Sequence, residues 1–288
     1  MSTSRAAVTR SFALCLPLIA IFGIAARKPD DPKHENHYKA GTTPTSSVVA
    51  LGLGDAQSQA TFIQVDAKIT NTTGDQLLVL KKAGAAFVLP NGTFPVHPSM
   101  TSLITGPNLV IPPNETRSNL FRADGDSGFH VDSASLQITG LWSGPNVGTA
   151  LAVPDFALPP SRNDFTSGPF TCKISKHSQS TDQTAAVYTC TYNGAGAGIV
   201  EPSHISVRAP NGQVFANDEK NEKRQLLLPG DTSKFSVSFR IPAQVVDMQF
   251  ATLQMVWNDA LAETTLSPVA LTDWTLVLDE AATTAANK

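Results

Sequence analysis

The stretch "VDSASLQITGLW" at residues 131–142 has a looser copy, "VDMQFATLQMVW", at residues 246–257. The first of them contains "SLQITGLW", in which apolar and polar residues alternate with the period of a β-strand that has one buried face. A repeated stretch of this length also suggests a repeated module. If the chain contains two copies of one module, other matching residues must recur in the same order at nearly the same sequence offset.

Further landmarks do recur in that order. The matching residues lie 115 to 120 positions apart: Pro90 with Pro210, Pro112 with Pro229, Trp142 with Trp257, and Asp155 with Asp273. We therefore predict two homologous domains, one over roughly 46–160 and the other over 165–280.

Each copy has the pattern of antiparallel β-structure. "TFIQVDAKIT" (61–70) and "KFSVSFRI" (234–241) alternate apolar and polar residues, and the Asn-Gly pairs of "PNGT" and "PNGQ" suit tight reversals between strands. The 20 prolines and 19 glycines of the chain also favour short strands and turns. The predicted fold class is all-β: two tandem immunoglobulin-like β-sandwich domains after an N-terminal hydrophobic helix.

The order of turns and strands resembles the telokin-like immunoglobulin-type modules of exported bacterial lipoproteins and membrane-anchored proteins. The residues that carry the resemblance are Asn71, Gly74, Pro90, Asn91 and Gly92 in the first copy, and Asn193, Pro210, Asn211, Gly212, Pro229, Gly230, Phe239 and Pro242 in the second. The first copy departs from the pattern, with Pro113-Asn114 where the second has Gly230-Asp231. No lipidated cysteine opens the chain after its apolar run. The resemblance implies a non-catalytic binding or spacer module outside the cytoplasm.

The N-terminus has the composition of an export or anchoring signal. Arg5 and Arg10 precede the uncharged run 11–26, which as a helix would be about 24 Å long, a little short of a hydrocarbon core of about 30 Å. Residues 1–26 are therefore predicted to be either a cleaved signal peptide or a single transmembrane anchor. We expect a flexible linker over 27–45 and a disordered tail over 281–288.

Cys172 and Cys190 lie in two strand-like runs joined by the polar segment "HSQSTDQT". Folding this segment about Thr181 places the two cysteines opposite each other, which predicts a disulfide across paired strands; the alternative is two buried free thiols. Their spacing does not fit a zinc cluster.

Charge and motifs exclude several functions. The net charge of −3 and the pI of about 6.0 provide no basic surface for nucleic acid. The chain has no GxSxG, HExxH, P-loop or GxGxxG motif. We therefore expect no enzymatic activity, no cofactor and no metal.

Three polar segments could still form a site. Asp124, Asp126 and Asp132 could supply oxygen ligands to an ion, although solvated acids in a loop between strands are the stronger interpretation. His34 and His37 could bind a metal with Asp30 and Asp31, but a flexible linker is favoured. The segment "NDEKNEKR" (217–224) has the composition of an exposed loop tip.

Together these observations predict a non-enzymatic protein outside the cytoplasm, attached to the membrane through 11–26, on the periplasmic face of a bacterial inner membrane. Its expected partner is a protein in a larger membrane complex, where it serves as an accessory or stabilising subunit. The alternative is a soluble periplasmic or secreted module that binds carbohydrate or a metal ion.

Overall fold

The computed structural model describes residues 34–97 and 108–288. Its elements are mostly short strands in antiparallel sheets, so the predicted all-β class is confirmed. The predicted N-terminal helix and the segment 1–26 lie outside the described residues. Among the residues that are described, no helix is both long and apolar enough to cross a membrane.

The strands follow one another along the chain with two short 3-10 turns, at Lys82–Gly84 and Pro202–His204. The first twelve are β1 (Asn36–Thr42), β2 (Val49–Gln59), β3 (Phe62–Asn71), β4 (Gln76–Lys81), β5 (Ala85–Leu89), β6 (Gly92–Pro95), β7 (Asn108–Ile111), β8 (Thr116–Asp124), β9 (Ser133–Ile138), β10 (Leu141–Pro145), β11 (Thr149–Ala150) and β12 (Ala157–Leu158). The rest are β13 (Asp164–Ser167), β14 (Phe170–Gln179), β15 (Gln183–Tyr192), β16 (Ala197–Val200), β17 (Ile205–Arg208), β18 (Val214–Ala216), β19 (Gln225–Leu227), β20 (Thr232–Arg240), β21 (Leu253–Trp257), β22 (Leu261–Thr264), β23 (Ser267–Pro268) and β24 (Trp274–Leu278), followed by helix α1 (Glu280–Ala286).

These strands build two bodies. The first body has an eight-stranded sheet in the order β6-β5-β9-β24-β1-β2-β3-β8, packed on a four-stranded sheet in the order β23-β10-β4-β7. The second body has three four-stranded sheets, in the orders β11-β22-β16-β19, β12-β21-β17-β18 and β13-β14-β15-β20. The first body thus has two sheets and the second has three.

Relative to the predicted ranges 46–160 and 165–280, the last strands are exchanged between the two bodies. β11 and β12 follow the first ten strands in the chain, yet they pair with β22 and β21 of the second body. In return, β23 pairs with β10, and β24 lies between β9 and β1 of the first body. The predicted ranges 46–160 and 165–280 therefore differ from sheet membership at their final strands.

Each body has its own hydrophobic core, and each core includes side chains from the exchanged strands. Trp274 and Leu276 of β24 are fully buried in the first core, and Phe156 and Leu158 are buried in the second. At about 1.5–3 kcal/mol for burying one large apolar side chain, the exchange contributes strongly to both bodies. The first core is not complete without β24, which lies far away in the chain, whereas the second core is built from the continuous stretch 149–264.

A third, smaller cluster joins the two bodies. Leu77 and Val79 of β4 meet Ala197 and Leu228 across the facing sheets, while Leu78 and Leu80 point into the first core. This explains why β4 is a continuous apolar run, because both of its faces are buried. At the crossover, added Cβ atoms on Gly144 and Gly196 would collide with the Thr264–Thr265 backbone, so glycine permits the chains to approach closely.

Two predicted flexible segments are ordered. Residues 36–42, assigned to the linker 27–45, form β1, because Tyr38 is buried and its hydroxyl donates to the Val131 carbonyl at 2.9 Å. Residues 280–286 overlap the predicted tail 281–288 and form α1, where Asp279 accepts a hydrogen bond from the Ala282 N–H. For these residues the predictions were wrong, because each segment has few large apolar residues and owes its order to packing on the first body.

Trp142 and Trp257, which are predicted to be equivalent, have different surroundings. Trp142 lies on β10, where its ring packs in the cluster between the bodies with the Lys81 ammonium 4.4 Å from its centroid. Trp257 lies on β21 and packs edge-on against Phe165 and Tyr188 in the second core. In the pairing of β5 with β9, Leu136 lies opposite Phe87, and in the pairing of β17 with β21, Met255 lies opposite Val207.

Candidate functional site

The predicted disulfide between Cys172 and Cys190 is confirmed. The two residues are directly opposite each other on β14 and β15, with 4.0 Å between their Cα atoms, and both are fully buried. The hairpin shifts register between Ile174 and Lys176, on the turn side of the bond, so the pairing predicted by folding about Thr181 is preserved. The bond fixes the two long strands of the second body against each other.

The acidic loop after β8 has an internal partner for its first carboxylate. Arg122 binds the Oδ1 of Asp124 at 2.7 Å, and its guanidinium lies 3.9 Å above the Phe62 ring. Asp126 is exposed to solvent. Within residues 34–97 and 108–288 no group of three His, Cys, Asp or Glu side chains has a metal-binding arrangement.

The two N-terminal histidines lie apart from each other. His37 has its ring nitrogens 3.7 Å from the carboxylates of Glu35 and Asp55, and its backbone N–H donates to the Thr283 hydroxyl of α1. His34 lies edge-on to His130, with 5.3 Å between the ring centroids. The predicted companions Asp30 and Asp31 lie outside the described residues.

The segment 217–224, predicted to be an exposed loop tip, lies along the edge of β20. Three of its side-chain oxygens accept hydrogen bonds from backbone N–H groups of that strand, at 2.6 to 2.9 Å: Glu222 from Ser236, Asn217 from Ser238, and Asp218 from Arg240. An unpaired strand edge is a template for association with other chains. The acids of this segment thus satisfy an edge that would otherwise present free donors.

Two buried tyrosines distinguish the second core. Burial raises the pKa of the Tyr188 hydroxyl and of the Tyr192 hydroxyl above the usual value. Tyr192 donates to the Glu263 carboxylate at 2.5 Å, and this hydrogen bond and the nearby negative charge raise its pKa further. Both hydroxyls therefore stay protonated in the folded protein at neutral pH.

A polar crevice lies on the outer face of the sheet β12-β21-β17-β18. Because successive side chains of a strand alternate between faces, Ile205 and Val207 enter the core while Ser206 and Arg208 face outward. On the neighbouring strand Gln254 lies directly opposite Arg208, and Val256 lies opposite Ser206.

The turn between β21 and β22 forms one wall of this crevice. The backbone pairing of β12 with β21 extends to Phe156, and the preceding residues 150–155 line a space of about 510 Å³ together with residues 254–259. A neighbouring space of about 470 Å³ also contains Asn258 and Asp259 and extends to Ser206. Asp259 adopts a positive φ of 53°, an uncommon conformation for a residue other than glycine.

Many polar groups in the crevice have no partner within the protein. In the described part of the chain, the side chains of Arg208, Gln254, Asn258 and Asp259 make no hydrogen bond or ion pair. Ser206 is only 6 % exposed, and its buried hydroxyl also has no partner there. A buried polar atom without a hydrogen bond is unfavourable by about 1–3 kcal/mol, so such groups are uncommon without a role.

The crevice does not have the geometry of a nucleophile and its base. His204 lines the same space as Ser206, but no hydrogen bond between the two side chains is found among the described residues. None of these residues was predicted from the sequence. Their signal was the alternation in "ISVR" and "LQMVW", which places Ser206, Arg208, Gln254 and Val256 on the face opposite the core.

Three of the four large exposed hydrophobic side chains of the described residues belong to the second body, and the fourth, Val147, follows β10. Among the described residues, the large exposed hydrophobic side chains are Val147, Val214, Val245 and Phe250. Phe250 is 86 % exposed, and its turn is ordered because the N–H groups of Phe250 and Ala251 donate to the Asp247 carbonyl. Met248 in the same turn is fully buried in the second core.

Comparisons with known proteins do not assign the chain to a family. No family model matches it, and no curated protein matches it. Among solved structures it is similar to the yjhA protein from Bacillus subtilis, at 18 % identity and a TM-score of 0.28, over 35 % of this chain and 80 % of that one. It is also similar to red sea bream transglutaminase, at 11 % identity and a TM-score of 0.18, over 80 % of this chain and 31 % of that one. A third similarity is to AerE from Microcystis aeruginosa, at 9 % identity and a TM-score of 0.14, over 86 % of this chain and all of that one.

Proposed function

We propose that this protein is a non-enzymatic, membrane-anchored protein outside the cytoplasm that acts through protein–protein contacts, as an accessory or stabilising subunit of a larger membrane complex. The apolar run 11–26 would serve as the anchor. The buried Cys172–Cys190 disulfide supports an oxidising compartment, because such bonds persist mainly outside the cytosol.

The placement of the chain ends supports an arrangement in which the first body faces the membrane. β1 begins at Asn36, ten residues after Ala26, a distance of at most about 35 Å for an extended chain. β1 also lies inside the eight-stranded sheet, between β2 and β24. A pull on the anchor would therefore be transmitted directly to the centre of the first body.

The observation that carries the proposal is the display of Phe250 on the second body. An aromatic side chain that is 86 % exposed on an ordered turn loses little conformational entropy when it binds, and aromatic anchors of this kind dominate protein interfaces. The second body would thus present the contact surface while the first body holds the protein near the membrane.

We infer further that the two bodies are copies of one immunoglobulin-like module, of the telokin-like type that the turns resemble. The strand orders support this inference, since β6-β5-β9-β24 corresponds to β18-β17-β21-β12, and β1-β2-β3-β8 corresponds to β13-β14-β15-β20. The remaining sheets, β23-β10-β4-β7 and β11-β22-β16-β19, correspond in the same way.

Extraction of native membranes in mild detergent tests the proposed function. The tagged protein is expected to co-purify with a defined membrane complex, and Phe250→Ser is expected to reduce recovery of that complex at least tenfold. Val214→Ser, which changes an exposed apolar residue on a different hairpin, serves as the matched control. A protein recovered only as a soluble monomer, or one whose complex is unaffected by Phe250→Ser, would contradict the proposal.

A further inference from the structure

We propose that the crevice around the turn between β21 and β22 binds a neutral saccharide. This site goes beyond the proposed protein contact, since the crevice residues differ from the Phe250 turn. Its size suits a small ligand, because spaces of about 510 and 470 Å³ lie within the range of about 300–1,000 Å³ that small-molecule sites occupy.

The chemistry of the side chains selects a ligand with many hydroxyl groups. Arg208 can only donate hydrogen bonds, the carboxylates of Asp155 and Asp259 can only accept them, and the amides of Gln254 and Asn258 can do both. A hydroxyl group is donor and acceptor at once, so a saccharide can satisfy all of these groups together. The Ser206 hydroxyl could contribute through the adjoining space.

The charges disfavour other classes of ligand. Two carboxylates beside one guanidinium would repel a phosphate or a polyanion, and the many polar atoms would lose their hydration against an apolar ligand. Small apolar surfaces are present at Val256 and Pro154, where the C–H face of a sugar ring can pack. The overall balance favours an uncharged ligand.

In the first body, a glutamine and an aspartate form a hydrogen bond with each other. There, the amide of Gln137 donates to the carboxylate of Asp273 at 2.9 Å, across β9 and the segment that leads into β24. In the second body the side chains of Gln254 and Asp155 line the same crevice, and neither makes a hydrogen bond among the described residues. The open pair is therefore available to a ligand.

Titration of the full-length protein with maltose, cellobiose and N,N′-diacetylchitobiose tests the site, with binding followed by calorimetry and by tryptophan emission. We expect saturable binding of at least one of them. Arg208→Ala is expected to weaken this binding at least tenfold, while Gln137→Ala in the first body leaves it unchanged. Thermal unfolding of each variant checks that it is folded, and because Arg208 is exposed, its substitution should leave the core intact.

Three outcomes would overturn the site: no saturable signal with any of the three sugars, unchanged affinity in Arg208→Ala, or saturable binding of inorganic phosphate instead of sugar. Recovery of the membrane complex with Arg208→Ala distinguishes failure of the saccharide site from failure of the proposed protein contact. That variant is expected to retain the complex, because the Phe250 turn is unaltered.

Discussion

The first body contains an eight-stranded sheet, whereas every sheet of the second body has four strands. The difference lies in the exchanged strands. β24 has five residues and pairs on both sides, with β9 and with β1, while β12 has two residues and pairs only with β21. Pairing on both sides of β24 therefore joins two sets of strands into one sheet in the first body, and β12 makes no such connection in the second.

The unusual features of the molecule occur in the second body. The crevice with its unpartnered side chains, the disulfide and the exposed Phe250 all belong to the second body. The first body has the longer pairing and contains α1 and the strand nearest the N-terminus. Regular pairing favours a stable scaffold, and the interrupted sheet provides concave surface for recognition.

The largest expected effect is the loss of stability of the first body when the exchanged strand β24 is removed. Deletion of 267–288 removes β23, β24 and α1, and with them Trp274 and Leu276 from the first core. Because truncation of one such aromatic residue already costs about 3–5 kcal/mol, the first body should unfold although residues 36–145 are all present. Hydrogen exchange should show β3 and β9 unprotected while β15 remains protected.

A shorter deletion, of 280–288, is the control, since it removes α1 and keeps β24 in place. Protected amides in β3 and β9 after the longer deletion would show that the first body does not depend on the exchanged strand. The different sheet arrangements of the two bodies would then have to be explained by contacts within each body.

Local features of the fold could be predicted from the sequence, and the exchange could not. The alternation in "TFIQVDAKIT" and the turns at Pro90 and Pro210 predicted strands and reversals that the structure contains. The segment "DWTLVL" around β24 has the same pattern whichever sheet it joins. Its choice of body depends on long-range packing against β9 and β1, which has no local signal.

The candidate site was harder to predict for a related reason. Arg208 and Gln254 are 46 positions apart in the sequence, and only the pairing of β17 with β21 places them opposite each other. The segment 217–224 is mostly exposed, as predicted, but its charges did not indicate the hydrogen bonds to the edge of β20. Whether a carboxylate binds water or the N–H of a strand edge depends on tertiary structure.

The disulfide provides a second test, with an intermediate effect confined to the second body. Replacing both Cys172 and Cys190 with alanine removes a cross-link over 18 positions, and the chain-entropy model gives a loss of about 3 kcal/mol. Guanidinium unfolding, combined with hydrogen exchange, should show destabilisation of β14 and β15 and little change in β3. An equal loss of protection in both bodies would indicate that the exchanged strands couple them into one cooperative unit.

Alkaline pH should destabilise the second body more than the first, and this effect should be smaller than that of removing the disulfide. Burial raises the pKa of Tyr188 and Tyr192 in the second core and of Tyr38 in the first, and these are the three tyrosines of the chain. Above pH of about 10 the unfolded chain loses these protons while the folded protein keeps them, so stability falls as the pH rises. Each group contributes at most about 1.4 kcal/mol per pH unit, and the second body should therefore lose stability about twice as steeply.

Unfolding by guanidinium at pH 8 to 11, with hydrogen exchange to locate the loss, measures this difference. Tyr188→Phe sharpens it, because the Tyr188 hydroxyl has no hydrogen-bond partner among the described residues and its removal should be neutral or slightly stabilising at pH 8. The same variant should reduce the alkaline slope of the second body to that of the first. A slope that is unchanged in Tyr188→Phe would assign the alkaline sensitivity to groups other than the tyrosines of the second core.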